Sequence, residues 1–187
     1  MPKRKPPPPP PDALRPLYEA YGAQGYYEQY GAEYRNPHEA VIRTCLQSAL
    51  LRWKADTAHV LDLACGSGEV TLCLQEAGVT RITGVDPYTG TAYQRRTGQS
   101  ALSHSFEAIA DGALEGQAFS LIVCSFALHL APASRLPTLC YQLARLAPVL
   151  WVLTPHKRPH IASQWGWHLQ DETLIQRVRT RYYTRLD

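Results

Sequence analysis

"VLDLACGSGEVT", Val60 to Thr71, is the stretch whose reading decides the fold. A short apolar run that reads as a buried strand enters a turn holding Gly66 and Gly68, then a segment of helical spacing from Glu69 to Ala77 that Gly78 can end. Strand, glycine turn and helix in that order open a nucleotide-handling α/β unit. A dinucleotide turn needs a third small residue, and Thr71 stands in its place. Asp62 before the turn and Glu69 in the first helical turn would repel a diphosphate, which wants bare N–H groups and the positive end of the helix dipole. The same two carboxylates suit a ligand that carries positive charge.

Outward from this unit the chain keeps alternating strand and helix. On the N-terminal side, Asn36 as N-cap and Pro37 at the first helical position predict a helix from Pro37 to Trp53, with Val41, Cys45, Ala49 and Trp53 on one face. On the C-terminal side come the strand "RITGVD", a polar helix over Thr91 to Thr97, and a strand at "SFEAIA". The apolar strand "FSLIVCSF", a helix from Pro137 and the strand "PVLWVLTP" follow. The last segment, "GWHLQDETLIQRVRTRYYTRL", alternates instead, with Val178, Thr180 and Tyr182 facing one way and Arg177, Arg179 and Arg181 the other, which predicts an antiparallel hairpin closing the sheet. Continuous apolar strands separated by helices imply a mostly parallel sheet covered on both faces. The expected organisation is a disordered basic, Pro-rich tail at 1–12, a Tyr-rich lid segment at 13–36 and one α/β domain at 37–187.

Composition narrows the class. A chain of 187 residues is long enough for one domain with a real core. Its net charge of +3 is concentrated in Lys3, Arg4 and Lys5 of "MPKRKPPPPPP", so the body is close to neutral, which argues against a dedicated nucleic-acid surface. The five cysteines are odd in number, sit in apolar segments and show no metal spacing, which predicts a reducing, intracellular and therefore cytoplasmic setting with no metal. No apolar run approaches the roughly 20 residues of a membrane span, so no membrane partner is expected.

The acidic positions at the strand ends name a ligand. S-adenosylmethionine (SAM) carries a sulfonium and an α-ammonium beside its carboxylate, and needs both a carboxylate and close backbone approach. Asp86 at the end of the second strand is placed to accept both ribose hydroxyls. Asp111 with Gly112, at the end of the expected third strand, is placed to accept from the adenine amino group, with Ile109 or Ala113 against the ring. All lie at the carboxyl ends of strands, where open α/β sheets bind ligands. "VLDLACGSG", "ITGVDPY", "AIADGAL", "FSLIVCSFALHL" and "PVLWVLTPHK" resemble, in order and spacing, the sequence blocks of class I SAM-dependent methyltransferases over about residues 37–187. The resemblance implies a three-layer αβα Rossmann-like fold with a seven-stranded sheet, order 3-2-1-4-5-7-6, strand 7 antiparallel. It implies that Asp62, Ala64, Gly66 and Gly68 hold the methionine moiety, Asp86 with Pro87 the ribose, and Asp111 with Gly112 the adenine. Cys124 and Phe126 would face the methyl group. Ala64 departs from the family's first glycine, and Cys124 from the Asp or Asn of its D/N-P-P-Y motif, which weakens amino-group methylation by that route.

Methyl transfer from a sulfonium is an in-line displacement served mainly by alignment in a dry site, with a base only for poorly ionised acceptors. His129 in "SFALHL" is a candidate base or a packing residue, and Tyr30 a second catalytic candidate. His156 and Arg158 in "TPHKRPHI" can grip an anionic substrate or form a solvated loop. Tyr18, Tyr21, Tyr26, Tyr27, Tyr30 and Tyr34, with Gly22, Gly25 and Gly31 between them to allow movement, read as a lid whose rings pack on the sulfonium face or on a planar acceptor, or as a satellite packing cluster. The leading expectation is an enzyme methylating a small-molecule or nucleotide-like acceptor at O or N. RNA, held by the basic tail, Lys157, Arg158 and the C-terminal arginines, is the alternative partner, although Arg177, Arg179, Arg181 and Arg185 read first as the solvated face of an edge-side strand; a SAM-binding regulatory protein without turnover is the alternative of another class.

Overall fold

The computed structural model describes residues 25–186. The basic tail, Tyr18, Tyr21 and Gly22 lie outside the described residues. Short strands flanked by helices bury both of their faces, and they do so here in a six-stranded sheet. Its strands are β1 (Val60–Leu63), β2 (Ile82–Val85), β3 (Leu121–Ser125), β4 (Val149–Thr154), β5 (Trp167–Ile175) and β6 (Val178–Arg185), in the order β2-β1-β3-β4-β6-β5. The first four run parallel, and β6 is inserted antiparallel between β4 and β5. The predicted terminal hairpin is therefore present, and the order agrees with the expected one at every strand but the third.

That third strand is the correction. "SFEAIA" does not extend the sheet: Phe106–Ala110 is a helix capped by Ser105, whose hydroxyl accepts the Ala108 N–H at 3.3 Å. Ala and Glu favour helix, Ser is a strong N-cap, and Ile109 is the one β-branched residue in the segment. What remains of the strand is Leu102, bridged to Val85, its N–H donating to the Gly84 carbonyl at 2.8 Å and its carbonyl accepting from Asp86 at 3.0 Å.

Among the described residues six α-helices surround the sheet. α1 is described over residues 25–30; α2 is Glu39–Trp53, α3 Glu69–Glu76, α4 Gly90–Thr97, α5 Phe106–Ala110 and α6 Leu136–Leu146. α2 begins two residues later than predicted because the Asn36 side chain accepts the His38 N–H at 2.9 Å, closing a turn ahead of the helix. One face of the sheet (Val60, Leu121, Val123, Trp151, Leu153) packs against Ile42, Leu46 and Leu74 of α2 and α3. The other (Leu61, Leu63, Ile122, Leu150, Val152) packs against Ile109, Leu139 and Leu143 of α5 and α6. No described helix is long and apolar enough to cross a membrane.

The predicted arginine face of β6 is solvated only at its ends: Arg177 and Arg185 are exposed, while Arg179 and Arg181 turn to partners inside the protein. Arg181 is 2% exposed, donates to Glu172 at 2.7 Å and satisfies the carbonyls of Pro159 and Lys157 at 2.9 and 2.8 Å. Arg179 lies 3.7 Å from the same Glu172. With neighbours on both sides, β6 is a central strand, and its charges must find partners inside the protein.

Candidate active site

The carboxyl ends of β1, β2 and β3 open into a cavity of about 260 Å³. Its wall is the turn after β1, held by positive φ angles at Ala64 (56°), Gly66 (55°) and Gly68 (91°). A Cβ at Gly66 would lie 3.2 Å from the Tyr34 ring and 3.5 Å from Glu69 Oε2, so the glycine leaves room for a close approach. Asp86, at the end of β2, completes the wall. Its Oδ1 accepts from the N–H groups of Tyr88 and Thr89 at 2.9 and 3.0 Å, and its Oδ2 from Gly66 at 3.3 Å. Three backbone donors fix the carboxylate and leave lone-pair capacity beside the cavity, which it lines with Pro87.

The two carboxylates of the glycine turn have separate fates. Asp62 is fully buried and turned away from the cavity: Oδ2 accepts from the Thr71 N–H at 3.1 Å and its hydroxyl at 2.7 Å, and Tyr93 closes the chain on Thr71 at 2.9 Å. Oδ1 has no partner among the described residues. Burial, aided by the charges of Glu69 and Asp86, raises its pKa to about 7 against the Thr71 hydrogen bonds. Asp62 thus ties β1 to the first turn of α3 rather than bordering the ligand space, and Gly68 also lies outside the lining. Glu69 lines the cavity, with Oε1 accepting from the Ser67 hydroxyl, from the Asn36 N–H at 3.2 Å and from Arg96 at 2.8 Å.

An aromatic roof covers the wall. Tyr27 stacks on Tyr88 at 6.1 Å and 13°, meets Tyr34 edge-on at 5.2 Å, and both Tyr27 and Tyr34 line the cavity. Gly31 seats this segment: a Cβ there would overlap the Tyr88 carbonyl. Tyr26 and Tyr30 do not reach the cavity; they are buried, 5.4 Å apart. Opposite, Phe126 after β3 lines the cavity at φ 55° and carries the His38 ring stacked at 4.9 Å.

Several expected residues lie elsewhere. Asp111 follows α5 and pairs with Arg135; neither it nor Gly112 lines the cavity, because the strand meant to carry them is a helix. His104, Ser105, Phe106, Glu107 and Ile109 border that end instead. Cys124 is buried inside β3, where burial raises its thiol pKa, and Ser125 takes its place at the cavity. His129 packs on His156 at 4.6 Å, away from the lining, and enclosure and the neighbouring imidazole hold its pKa down at about 4. Arg158 is likewise outside. Sequence reading missed Tyr88, Asn36 and the 104–107 segment; a Ser N-cap ahead of Phe-Glu-Ala was the available signal for the last.

A parallel sheet with a ligand cavity at its carboxyl edge, a glycine turn after β1 and a carboxylate at the end of β2 define a Rossmann-like nucleotide-binding architecture. A methyltransferase-domain family model matches residues 60–148. An uncharacterized protein of Schizosaccharomyces pombe is 30% identical over 219 aligned positions, 88% of this chain and 89% of that protein. The fold is shared with magnesium protoporphyrin IX methyltransferase from Synechocystis PCC 6803, solved with bound SAM (TM-score 0.63, 15% identity, 97% of this chain and 100% of that one). It is shared too with the Haloferax volcanii putative methyltransferase solved with its activator Trm112 (0.66, 13%, 86% and 98%) and with an rRNA methylase from Escherichia coli (0.59, 16%, 95% and 77%). The chain belongs to the class I SAM-dependent methyltransferases, and its methyl donor is SAM.

Proposed function

We propose that this enzyme methylates a small, planar molecule or nucleotide-like acceptor, held beneath the aromatic roof. The observation that carries the reading is the roof: Tyr27 and Tyr34 on one side and Phe126, backed by His38, on the other flank a space of small-ligand size. SAM, when bound, supplies an electrophilic methyl group. The chain's residues supply placement. Asp86 receives the ribose hydroxyls, and Val85, Pro87, Phe106 and Ile109 form an apolar slot for the adenine, with Glu107 and Ser105 at its edge in the role expected of Asp111. Ser125 and Phe126 border the acceptor. Tyr27 and Tyr34 exclude water from the line of displacement. His129 and Tyr30 border none of this space, so catalysis by alignment is the reading that fits.

An RNA acceptor is less well supported, since Arg179 and Arg181 are committed to Glu172 and to main-chain carbonyls. The test is transfer from methyl-labelled SAM into a cell extract divided into small molecules, RNA and protein. Label in the small-molecule fraction, insensitive to ribonuclease and protease, supports the proposal. Label confined to RNA or protein refutes it.

A further inference from the structure

With Asp62 turned inward and Asp86 engaged by three backbone N–H groups, Glu69 is the carboxylate at the start of α3 that still faces the cavity. Glu69 is 5% exposed, and its two oxygens are used differently. Oε1 is saturated by the Ser67 hydroxyl, the Asn36 N–H and Arg96. Oε2 has no hydrogen-bond partner among the described residues and lies beside Gly66, where the wall opens to ligand. A buried carboxylate with one oxygen held by three donors and the other offered to a cavity is a cation acceptor whose position has been fixed in advance.

Arg96 does the fixing. It reaches from α4, donates at 2.8 Å to Glu69 and at 3.1 and 3.3 Å to the hydroxyl and carbonyl of Ser67, and pairs at 2.7 Å with Glu39 at the start of α2. Glu39 also holds Arg35 at 3.3 Å. One guanidinium thus ties the cofactor turn to the segment leading into the roof. A lysine has too few donors, in the wrong geometry, to do the same.

We propose that Glu69 receives the α-ammonium of the donor's amino-acid moiety and that Arg96 is the positioning residue that aims it. This rests on the reading above in which Asp86 holds the ribose. The test is equilibrium binding to the full chain of three ligands: S-adenosylhomocysteine, its deaminated analogue, and 5′-methylthioadenosine, which lacks the amino-acid moiety. On the unaltered protein, deamination should cost at least about tenfold in affinity. Glu69→Gln should weaken S-adenosylhomocysteine by a similar factor and leave 5′-methylthioadenosine within about twofold; Arg96→Met should give a smaller loss with the same selectivity, which Arg96→Lys restores only in part. Equal losses for S-adenosylhomocysteine and 5′-methylthioadenosine, or no loss, overturn the proposal. If Glu69→Gln does not fold, the deaminated analogue on the unaltered protein still decides. Failure of the underlying cofactor reading looks different: Asp86→Ala would then leave all three affinities unchanged.

Discussion

The wall of the cavity and its roof are built by opposite means. The wall is chiefly backbone: Asp86 is held by three N–H groups and the turn by positive φ angles, so these groups are fixed by atoms every residue possesses. The roof is side chain: Tyr27 meets both Tyr34 and Tyr88 ring to ring, so residue identity decides its form. A wall fixed by the main chain can carry one cofactor across many sequences, whereas a roof of rings is free to be recut for each acceptor.

The largest effect expected from breaking this contrast lies in the wall. Asp62 has a folded pKa of about 7, raised above its value in an unfolded chain. An acid with a raised folded pKa is more protonated folded than unfolded, so stability falls as pH rises from about 4 to 7, by at most about 4 kcal/mol. Asp62→Asn keeps an acceptor for Thr71 and removes the titration. Denaturant melts of both proteins at pH 4.5 and 7.5 should show a loss with rising pH in the unaltered protein and a flatter profile in Asp62→Asn; parallel profiles would mean that Asp62 does not titrate in this range.

Next comes Asp86→Ala, which removes the proposed ribose acceptor and the carboxylate that three backbone donors hold. SAM affinity measured calorimetrically should fall by at least about 1.5 kcal/mol, and an unchanged value removes Asp86 from the ribose site. In the roof, Tyr27→Ala takes away the stack on Tyr88 and should cost about 1 kcal/mol, expressed as faster release of S-adenosylhomocysteine with an unchanged association rate. A change confined to association would mean that the ring guides entry rather than covering the ligand.

The wall was legible in the sequence and the roof in outline only. Glycines, strand-end aspartates and apolar runs act locally, so the places of Gly66 and Asp86 follow from spacing, while the order of the strands came from the resemblance to the family. Residues whose roles come from distant partners do not. Asp62 and Glu69 are seven residues apart and equally acidic, yet Thr71 draws one inward, while Arg96, 27 residues beyond Glu69, holds the other at the cavity. Asp111 was misplaced because "SFEAIA" satisfies strand and helix patterns alike until the Ser105 cap decides. The arginines of β6 looked solvent-facing because alternation marks two faces without saying that both are covered.

The smallest expected effect separates the two regions most finely. Ala64 and Phe126 both hold left-handed backbone, at φ 56° and 55°, and both border the cavity. The strain at Phe126 accompanies a ring that lines the cavity, on the side proposed for the acceptor, and so belongs to the roof's logic, where geometry is held for the sake of a side chain. Ala64 presents only a methyl group. A left-handed conformation costs an L-residue about 1–2 kcal/mol, and glycine loses about 0.5–1 kcal/mol more chain entropy on folding, so Ala64→Gly should stabilise the protein by roughly 0.5 kcal/mol, raising Tm by about 1–2 °C. If the wall works through its backbone alone, SAM affinity will stay within about twofold, since a difference that small is under 0.5 kcal/mol. A larger loss of affinity would show that the Ala64 methyl group itself packs on the cofactor, and that the wall, at this one position, reads side chains as the roof does.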